Sequence, residues 1–343
     1  MQEIIPAIDQ WLADGRTPIA LATVIQTWGS APQRAGAKMA VNAAGEMAGS
    51  VSGGCVEGAV VEAAQQTLAN GRPQLLHFGV TDETAWGVGL ACGGSIDVFV
   101  EPLDEAAYVF QRRLIRQNEA GAVITIIRGP GQWVGKKLLV GSDGCLQNHL
   151  SPELDSLAAP QAQNLAAAQP VQLTREIEVF VDAIRPSPTL VIVGGVHIAI
   201  PLTVYARELG YKTIVVDPRR AFASRGRFPR VDKLVTAWPQ KAFAEIDLTE
   251  DTAVALLTHD PKIDDPALEI ALNSPVFYIG ALGSRRTHAK RCQRLRDKGF
   301  TEAQIGRIHG PIGLNIHAVT PAEIALSIMA ELVQQNRARE TQP

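Results

Sequence analysis

Two cysteines of this chain lie beside pairs of glycines, where a thiol could act on a ligand. Cys55 follows Gly53-Gly54 at the start of a predicted helix, and Cys92 precedes Gly93-Gly94. Free amides at a helix N-terminus stabilise a thiolate, and glycine loops let amides converge on an anion. A single cysteine is more often a small buried hydrophobe. Two beside Gly-Gly pairs favour function, so we predict that both face a ligand.

A second candidate site follows the apolar run that ends at residue 193. Gly194-Gly195 lies between a predicted strand and helix, and Asp217 follows at the spacing of an acidic ribose ligand. Val196, however, stands where a Rossmann glycine lets the backbone approach a pyrophosphate. Two functional interpretations stay open: an NAD(P)-dependent oxidoreductase, and another anion held by the helix N-terminus. We favour the second and expect NAD(P) not to be the cofactor; a nucleotide-like fold without a nucleotide is the structural alternative.

Basic residues mark two further loops. Arg285 and Arg286 begin a predicted helix, and such arginines suit a phosphate because each offers a pair of parallel donors. The alternative is a capped helix with solvated arginines. The loop 27–38 carries Arg34 and Lys38, which could hold an oxyanion or simply face solvent. The segment 258–260 follows another strand, at the edge where open α/β sheets bind ligands.

The elements that must position these residues divide the chain into two parts. Residues 1–184 mix strands and helices without a regular rhythm or an internal repeat, which predicts one α+β domain. The prolines at 186 and 188 make a short, stiff linker. Beyond it, strands at 189–193, 212–217, 233–236, 253–257 and 276–280 accompany helices at 196–209, 266–273, 285–298 and 321–337. This alternation predicts a Rossmann-like, doubly wound parallel sheet in residues 189–343, and hence an α/β protein.

Composition excludes several classes of protein. The 343 residues suffice for about two domains, and 46% apolar with 20% charged residues is typical of a globular protein. A net charge of −3 argues against nucleic-acid binding. The first residues do not resemble a signal peptide, and no apolar run approaches the ~20 residues of a membrane span. Four cysteines without a CxxC pair indicate neither a disulfide scaffold nor a zinc knuckle. We therefore expect a cytoplasmic protein that binds neither membrane nor nucleic acid.

Several long motifs, in order, resemble one known family. They are GSAPQRAGAKM (29–39), GSVSGGCVE (49–57), GLACGGSIDVFVEP (89–102), YIGALGSRRT (278–287), HGPIGLNI (309–316) and TPAEIA (320–325). Together they resemble the XdhC/CoxI family across residues 19–331. Such a series is far more specific than a single glycine fingerprint. In that family the glycine turn typically reads G-A-G-H, so Val196 is a departure, as is His317 where glycine is common.

The resemblance implies an accessory chaperone for molybdenum hydroxylases such as xanthine dehydrogenase, and we assign no turnover reaction. It implies that the chain binds the molybdenum–pterin cofactor, as molybdopterin or its nucleotide form, supports its sulfuration and delivers it to the apoenzyme. A cysteine desulfurase would supply the sulfur. It also implies an N-terminal cysteine-bearing domain, a C-terminal Rossmann-like domain and a homodimer.

The resemblance assigns roles to the residues singled out above. Cys55 and Cys92 become candidates for a transient contact with molybdenum, because thiolates are soft ligands. The remaining candidates for cofactor binding are Gly53, Gly54, Gly93 and Gly94, which shape the cysteine loops, together with Gly194, Gly195, Asp217, Arg285 and Arg286, which would hold a phosphate or nucleotide.

Overall fold

The computed structural model describes residues 1–31, 33–79, 93–162 and 168–340, which form two compact units, Met1–Pro186 and Ser187–Pro343. The predicted α/β class, with an α+β region followed by a Rossmann-like parallel sheet, is confirmed. Within the described ranges, no helix has the length and apolar character needed to cross a membrane.

The first unit consists of two five-stranded antiparallel sheets and their helices. Its first half contains α1 (Ile5–Ala13), β1 (Ile19–Trp28), β2 (Lys38–Asn42), β3 (Met47–Gly49), α2 (Glu57–Asn70), β4 (Gln74–Phe78) and β5 (Ser95–Pro102). Its second half contains α3 (Glu105–Gln117), β6 (Gly121–Arg128), β7 (Lys137–Gly141), β8 (Leu146–Gln147), α4 (Pro152–Ala158), a 3-10 turn (Ala159–Ala162), β9 (Gln169–Gln172) and β10 (Glu178–Ile184).

The two halves repeat one topology. The strand order is β3-β2-β1-β5-β4 in the first sheet and β8-β7-β6-β10-β9 in the second. In each half a helix precedes the first strand, and another lies between the third and fourth strands. The expectation of no internal repeat is therefore wrong. The likeness lies in strand order and register, and connections of unequal length hide it in the sequence.

The strand register shows the same repeat at the level of single residues. Thr23 in β1 lies opposite Lys38 in β2, and Thr125 in β6 lies opposite Lys137 in β7. Each lysine ammonium donates a hydrogen bond to the threonine hydroxyl of its own half, at 3.1 and 3.0 Å respectively. The same pair of residue types thus occupies equivalent positions in both sheets.

Both lysines form ion pairs with the opposite half. Lys38 Nζ lies 3.0 Å from the Asp182 carboxylate in β10, and Lys137 Nζ lies 2.6 Å from the Glu101 carboxylate in β5. Asp182 and Glu101 occupy equivalent positions in their sheets. Lys38 is therefore buried and paired, contrary to the expectation that it holds an oxyanion or faces solvent. A cavity of about 20 Å³ beside these pairs has room for about one water molecule.

The second unit is built on a six-stranded parallel sheet, in the order β13-β12-β11-β14-β15-β16. Its elements are β11 (Thr189–Val193), α5 (Ala199–Glu208), β12 (Lys212–Val216), β13 (Lys233–Val235), α6 (Pro239–Phe243), β14 (Thr252–Leu256), α7 (Pro261–Leu272), β15 (Tyr278–Ala281), α8 (Arg285–Asp297), α9 (Glu302–Ile305), β16 (Ile308–His309) and α10 (Pro321–Glu340). The strand order reverses between β11 and β14, the place where open α/β sheets form their ligand crevice.

Two helices in this unit begin elsewhere than predicted. Helix α5 starts at Ala199 instead of residue 196. Pro201 lacks an N–H and would clash with a helical carbonyl four residues before it, so it is tolerated in the first turn and not deeper. Helix α7 starts at Pro261 instead of residue 266. The Asp260 carboxylate caps it by accepting a hydrogen bond from the Lys262 amide at 2.9 Å.

Candidate functional site

The first candidate site is the loop between β3 and α2, which carries Cys55. Its thiol is free and exposed, and the next residue, Val56, is the N-cap of α2. The predicted exposure of a cysteine at the start of this helix agrees with that placement. The loop that displays the thiol is organised by Glu57, a residue that the sequence pattern did not single out.

The Glu57 carboxylate gathers the polar groups of this loop. It accepts hydrogen bonds from the hydroxyls of Ser50 at 2.6 Å and Ser52 at 2.5 Å. It also accepts bonds from four consecutive backbone amides, at residues 51–54, over 2.9–3.2 Å. The amides of Gly53-Gly54 therefore face Glu57. The expectation that they are free to converge on an anionic ligand needs correction, because a carboxylate of the chain already satisfies them.

Glu57 is held in its anionic form. Burial alone would raise the pKa of this carboxyl group, but the bonds from Ser50, Ser52 and the backbone outweigh burial and lower the pKa to about 2. Gly53 and Gly54 adopt φ values of +83° and +121°, which side chains disfavour. The glycine pair thus permits the turn that brings the amides onto Glu57.

The amides next to the thiol are also engaged. The Ser52 hydroxyl oxygen accepts hydrogen bonds from the amides of Cys55 at 3.0 Å and Val56 at 3.1 Å. The backbone on both sides of the sulfur is therefore fixed by neighbouring side chains. The loop presents a thiol from a fixed backbone, and the thiol itself remains free for a ligand.

The second glycine pair packs directly against the loop that follows β1. A Cβ on Gly94 would lie 2.7 Å from the carbonyl oxygen of Trp28, and one on Gly29 would lie 3.3 Å from the Cα of Gly94. Gly93 has a φ of +75°. Gly94 therefore allows the two backbones to approach closely, and Gly93 adopts a backbone conformation that favours glycine. Cys92, which precedes it, lies outside the described residues.

Helix α2, which follows the Cys55 loop, packs on the first sheet. Val56 belongs to the same buried cluster as Phe78, the last residue of β4, and Ile96, near the start of β5. A short turn at Gly71 joins α2 to β4.

In the second unit, the glycine loop after β11 lies at the crevice where the strand order reverses. Gly194 has a φ of +109°, and a Cβ there would lie 2.5 Å from the Thr258 side chain. A Cβ on Gly195 would lie 2.4 Å from the carbonyl oxygen of Phe222. Both glycines are thus required by contacts within the protein. The neighbouring loop after β14 carries Thr258, as the sequence predicts for this edge.

Asp217 is turned toward the protein. Its fully buried carboxylate accepts hydrogen bonds from the Gly195 amide at 2.9 Å and from the Arg219 amide and guanidinium at 2.8–2.9 Å. Burial would raise the pKa of Asp217, but the Arg219 guanidinium and these amides together lower it. The prediction of Asp217 as a direct ligand of a phosphate or ribose therefore needs correction: both oxygens hold the Gly195 turn and Arg219.

Arg285 and Arg286 occupy the first turn of α8 and are exposed. Within the described part of the chain, neither guanidinium has a hydrogen bond or ion pair. The helix is capped by Ser284, whose hydroxyl accepts a bond from the Thr287 amide at 3.2 Å. The helix is therefore capped and the two arginines are exposed, which fits both predicted interpretations, an anion site and solvated side chains.

The turn before α8 is held by a buried pair, Arg291 and Asp264. The sequence pattern did not reveal this pair. Arg291 in α8 donates a hydrogen bond to the Leu282 carbonyl oxygen at 3.0 Å, and its guanidinium lies 3.7 Å from the Asp264 carboxylate. Asp264 also accepts a bond from the Thr258 hydroxyl at 2.5 Å. Burial raises the pKa of Asp264 despite these partners. The pair therefore links the loop after β14 to the turn that carries the exposed arginines.

The described residues contain no group of three or more His, Cys, Asp or Glu side chains arranged to hold a metal ion.

Comparison with known families assigns the chain to one of them. Residues 11–79 match the XdhC and CoxI family, and residues 190–332 match the XdhC Rossmann domain, together more than half of the chain. The chain belongs to the XdhC and CoxI family. The predicted resemblance is thus confirmed, and the second match coincides with the parallel sheet of the second unit.

Three relatives match this family member over most of its length. It is 27% identical to a probable xanthine dehydrogenase subunit of Bacillus subtilis (strain 168), over 95% of this chain and 96% of that protein. It is 28% identical to the molybdenum cofactor insertion chaperone PaoD of Escherichia coli (strain K12), over 91% of this chain and 81% of the relative. It is 27% identical to the uncharacterized protein YqeB of E. coli (strain K12), over 94% of this chain and 44% of YqeB.

A solved structure shares the fold. The crystal structure of a xanthine dehydrogenase from Bacillus halodurans superimposes with a TM-score of 0.78 over 98% of this chain and 97% of the other, at 24% identity. This likeness shows that the XdhC and CoxI family member has the fold of that protein.

Proposed function

We propose that this protein is a chaperone that binds the molybdenum–pterin cofactor as cargo, supports its sulfuration and delivers it to a xanthine dehydrogenase-type apoenzyme. Family membership supports this proposal, as do the relatives named for xanthine dehydrogenase and for molybdenum cofactor insertion. The cargo supplies the metal and its sulfur chemistry, and the protein supplies the groups that hold and orient it.

One observation carries the proposal: a free, exposed Cys55 thiol on a loop whose backbone is fixed by Glu57 and Ser52. A soft sulfur ligand suits molybdenum, and a fixed loop lowers the entropy lost when the cargo binds. Because the loop amides are satisfied within the chain, Cys55 would act through its sulfur. We extend the same role to Cys92, and the Gly93-Gly94 pair would shape its approach.

The second unit, taken by itself, offers groups that suit an anionic ligand. Arg285 and Arg286 have free donors at a helix N-terminus, which suits the phosphate of molybdopterin or of its nucleotide form. Gly194-Gly195 would contribute shape at the crevice, and Asp217 would keep that turn in place. We further propose that the protein acts in the cytoplasm as a homodimer, with sulfur supplied by a cysteine desulfurase.

An NAD(P)-dependent oxidoreductase is the second candidate, because the strand order reverses beside a glycine loop. The engaged Asp217 carboxylate and the Val196 side chain at the pyrophosphate position both argue against it. Titration with NADPH, followed by protein fluorescence, tests this candidate. Saturable binding below millimolar concentration would support it, and no response would remove it.

Cofactor retention tests the leading proposal. Full-length protein purified from a molybdenum-replete host is expected to carry molybdenum and pterin in stoichiometric amounts by mass analysis. Replacing Cys55 with Ala should raise the Kd for the cofactor about tenfold, the effect of losing roughly 1.4 kcal/mol of binding, and so lower the content that survives purification. Cys145→Ala is the matched control, because Cys145 is also a free, exposed thiol. Wild-type protein without any cofactor would contradict the proposed function.

A separate result would contradict the assignment of Cys55 and Cys92 as cargo ligands. If Cys55→Ala and Cys92→Ala each retained the wild-type content, neither thiol would hold the cargo. Capture of a molybdenum hydroxylase by the double variant would then indicate a docking protein that recruits its partner without using these thiols.

A further inference from the structure

Three polar and aromatic side chains that the proposed function does not use meet at one end of the first sheet. His77 in β4 lies directly opposite Asp97 in β5, and Trp28 is the last residue of β1. Gly94 packs against the Trp28 backbone here, where a Cβ would lie 2.7 Å from the Trp28 carbonyl oxygen. The three side chains therefore lie beside the glycine pair that follows Cys92 in the sequence.

Asp97 orients the imidazole of His77. Nδ1 of His77 lies 2.6 Å from the Asp97 carboxylate; the Asp97 side chain is 9% exposed and the His77 side chain 54%. Arg128 lies 3.7 Å from the other oxygen of Asp97. An ionised carboxylate only accepts hydrogen bonds, so Nδ1 is the donor in this pair. In the tautomer with its single proton on Nδ1, Nε2 is the acceptor nitrogen.

Two described neighbours, Gly79 and Trp28, flank the imidazole. Gly79 follows two residues after His77 and passes close to this nitrogen, so that a Cβ there would lie only 3.2 Å from Nε2. Trp28 flanks the imidazole edge-on, with ring centroids 6.2 Å apart and an interplanar angle of 62°, and its side chain is 42% exposed. An exposed indole beside an oriented acceptor provides a flat apolar surface with one directed polar contact.

We propose that His77 and Trp28 contact the pterin of the cargo, with His77 Nε2 accepting a hydrogen bond from an N–H edge of the ring and Trp28 packing on the ring system. A planar heterocycle with N–H donors matches both features. The proposal rests on the proposed function, because the pterin belongs to the cofactor named there. Asp97 is a positioning residue that acts through His77.

The second half of the same unit supplies a matched control. His149 Nδ1 lies 2.7 Å from the Asp155 carboxylate, and the side chains are 65% and 9% exposed, nearly as in the first pair. No described aromatic ring contacts His149. The two pairs therefore share their chemistry and differ in the neighbouring indole and in the loops nearby.

Binding of free pterin (2-amino-4-oxopteridine) to the full-length protein, measured by fluorescence anisotropy, tests the proposal. We expect His77→Ala to raise the Kd about tenfold, the loss of one hydrogen bond. Trp28→Ala should raise the Kd by a similar factor. Asp97→Asn should raise the Kd less, because His77 is still present and only the carboxylate that orients it is lost. His149→Ala should leave the Kd unchanged. Because His77 and Trp28 are exposed, their variants should fold, and circular dichroism checks this for all the variants, including that of the buried Asp97.

The outcomes separate this proposal from the proposed function. Wild-type protein that retains the cofactor but shows the same pterin affinity as His77→Ala and Trp28→Ala overturns the contact site alone. Retention of cofactor without any affinity for free pterin also overturns it, since recognition would then lie in another part of the cargo. If wild-type protein carries no cofactor and binds no pterin, both proposals fail.

Discussion

At the scale of single residues, Glu57 determines the conformation of the Cys55 loop. Its carboxylate accepts six hydrogen bonds from the loop and is buried, with a pKa lowered to about 2. Replacement by Gln keeps the size but puts an amide NH₂ among N–H and O–H donors. We expect Glu57→Gln to lower the free energy of unfolding at pH 7 by about 2 kcal/mol, measured by urea denaturation.

The pH dependence of this difference follows from the lowered pKa. Because the folded-state pKa lies below the ordinary value of 4.5, the stabilisation is present above about pH 5 and is lost as the pH falls toward 2. The stability gap between wild type and Glu57→Gln should therefore narrow across this range. Glu62→Gln, on the exposed face of the same helix, should show no such change. A gap that stays constant down to about pH 2.5 would contradict the assignment.

Sequence reasoning found the exposed cysteine but not the residue that holds its loop. Cys55 stood out because its residue type and the adjacent glycines point directly to chemistry. Glu57 did not, since a glutamate in a first helical turn is common and its loop partners follow no fixed spacing. Asp217 was misassigned for a related reason: spacing places an acidic residue at the right edge, but only the three-dimensional structure shows that Arg219 engages it.

At the scale of elements, the crossed ion pairs bind the two sheets of the first unit. Lys137 and Glu101 are both nearly fully buried and lie 2.6 Å apart. Lys137→Met would leave the Glu101 carboxylate buried and unpaired, so we expect a loss of about 3–5 kcal/mol in chemical denaturation. The double variant Lys137→Met/Glu101→Leu should recover most of it. Additive losses from the two single changes would show that the pair is not coupled.

The strands and helices themselves were predicted unevenly. Strand β11 and the start of α10 at residue 321 agree with the predicted bounds. Short elements such as β3 and β8 pair at the edges of sheets and leave little pattern in two or three residues. The start of α7 was placed too late because Pro266, which lies inside the helix, was taken for its first residue. The formation of such short strands depends on the strands they pair with, and the sequence alone does not show that pairing.

At the scale of the whole molecule, the chain consists of two units with separate cores. Among the described residues, each buried apolar cluster is built from one unit. We therefore expect residues 187–343, expressed alone, to unfold cooperatively and to keep the native far-ultraviolet circular dichroism of a parallel α/β domain. A fragment without a cooperative transition would show that the second unit depends on the first.

The crossed lysines of the first unit also carry information about its symmetry. Each half supplies one lysine and one acid, and each lysine pairs with the acid of the other half. This reciprocal pairing is the pattern of an interface with two-fold symmetry, here contained within a single chain. The two halves are not identical: the last two of their five strands are separated by sixteen residues in the first half (79–94) and by five in the second (173–177).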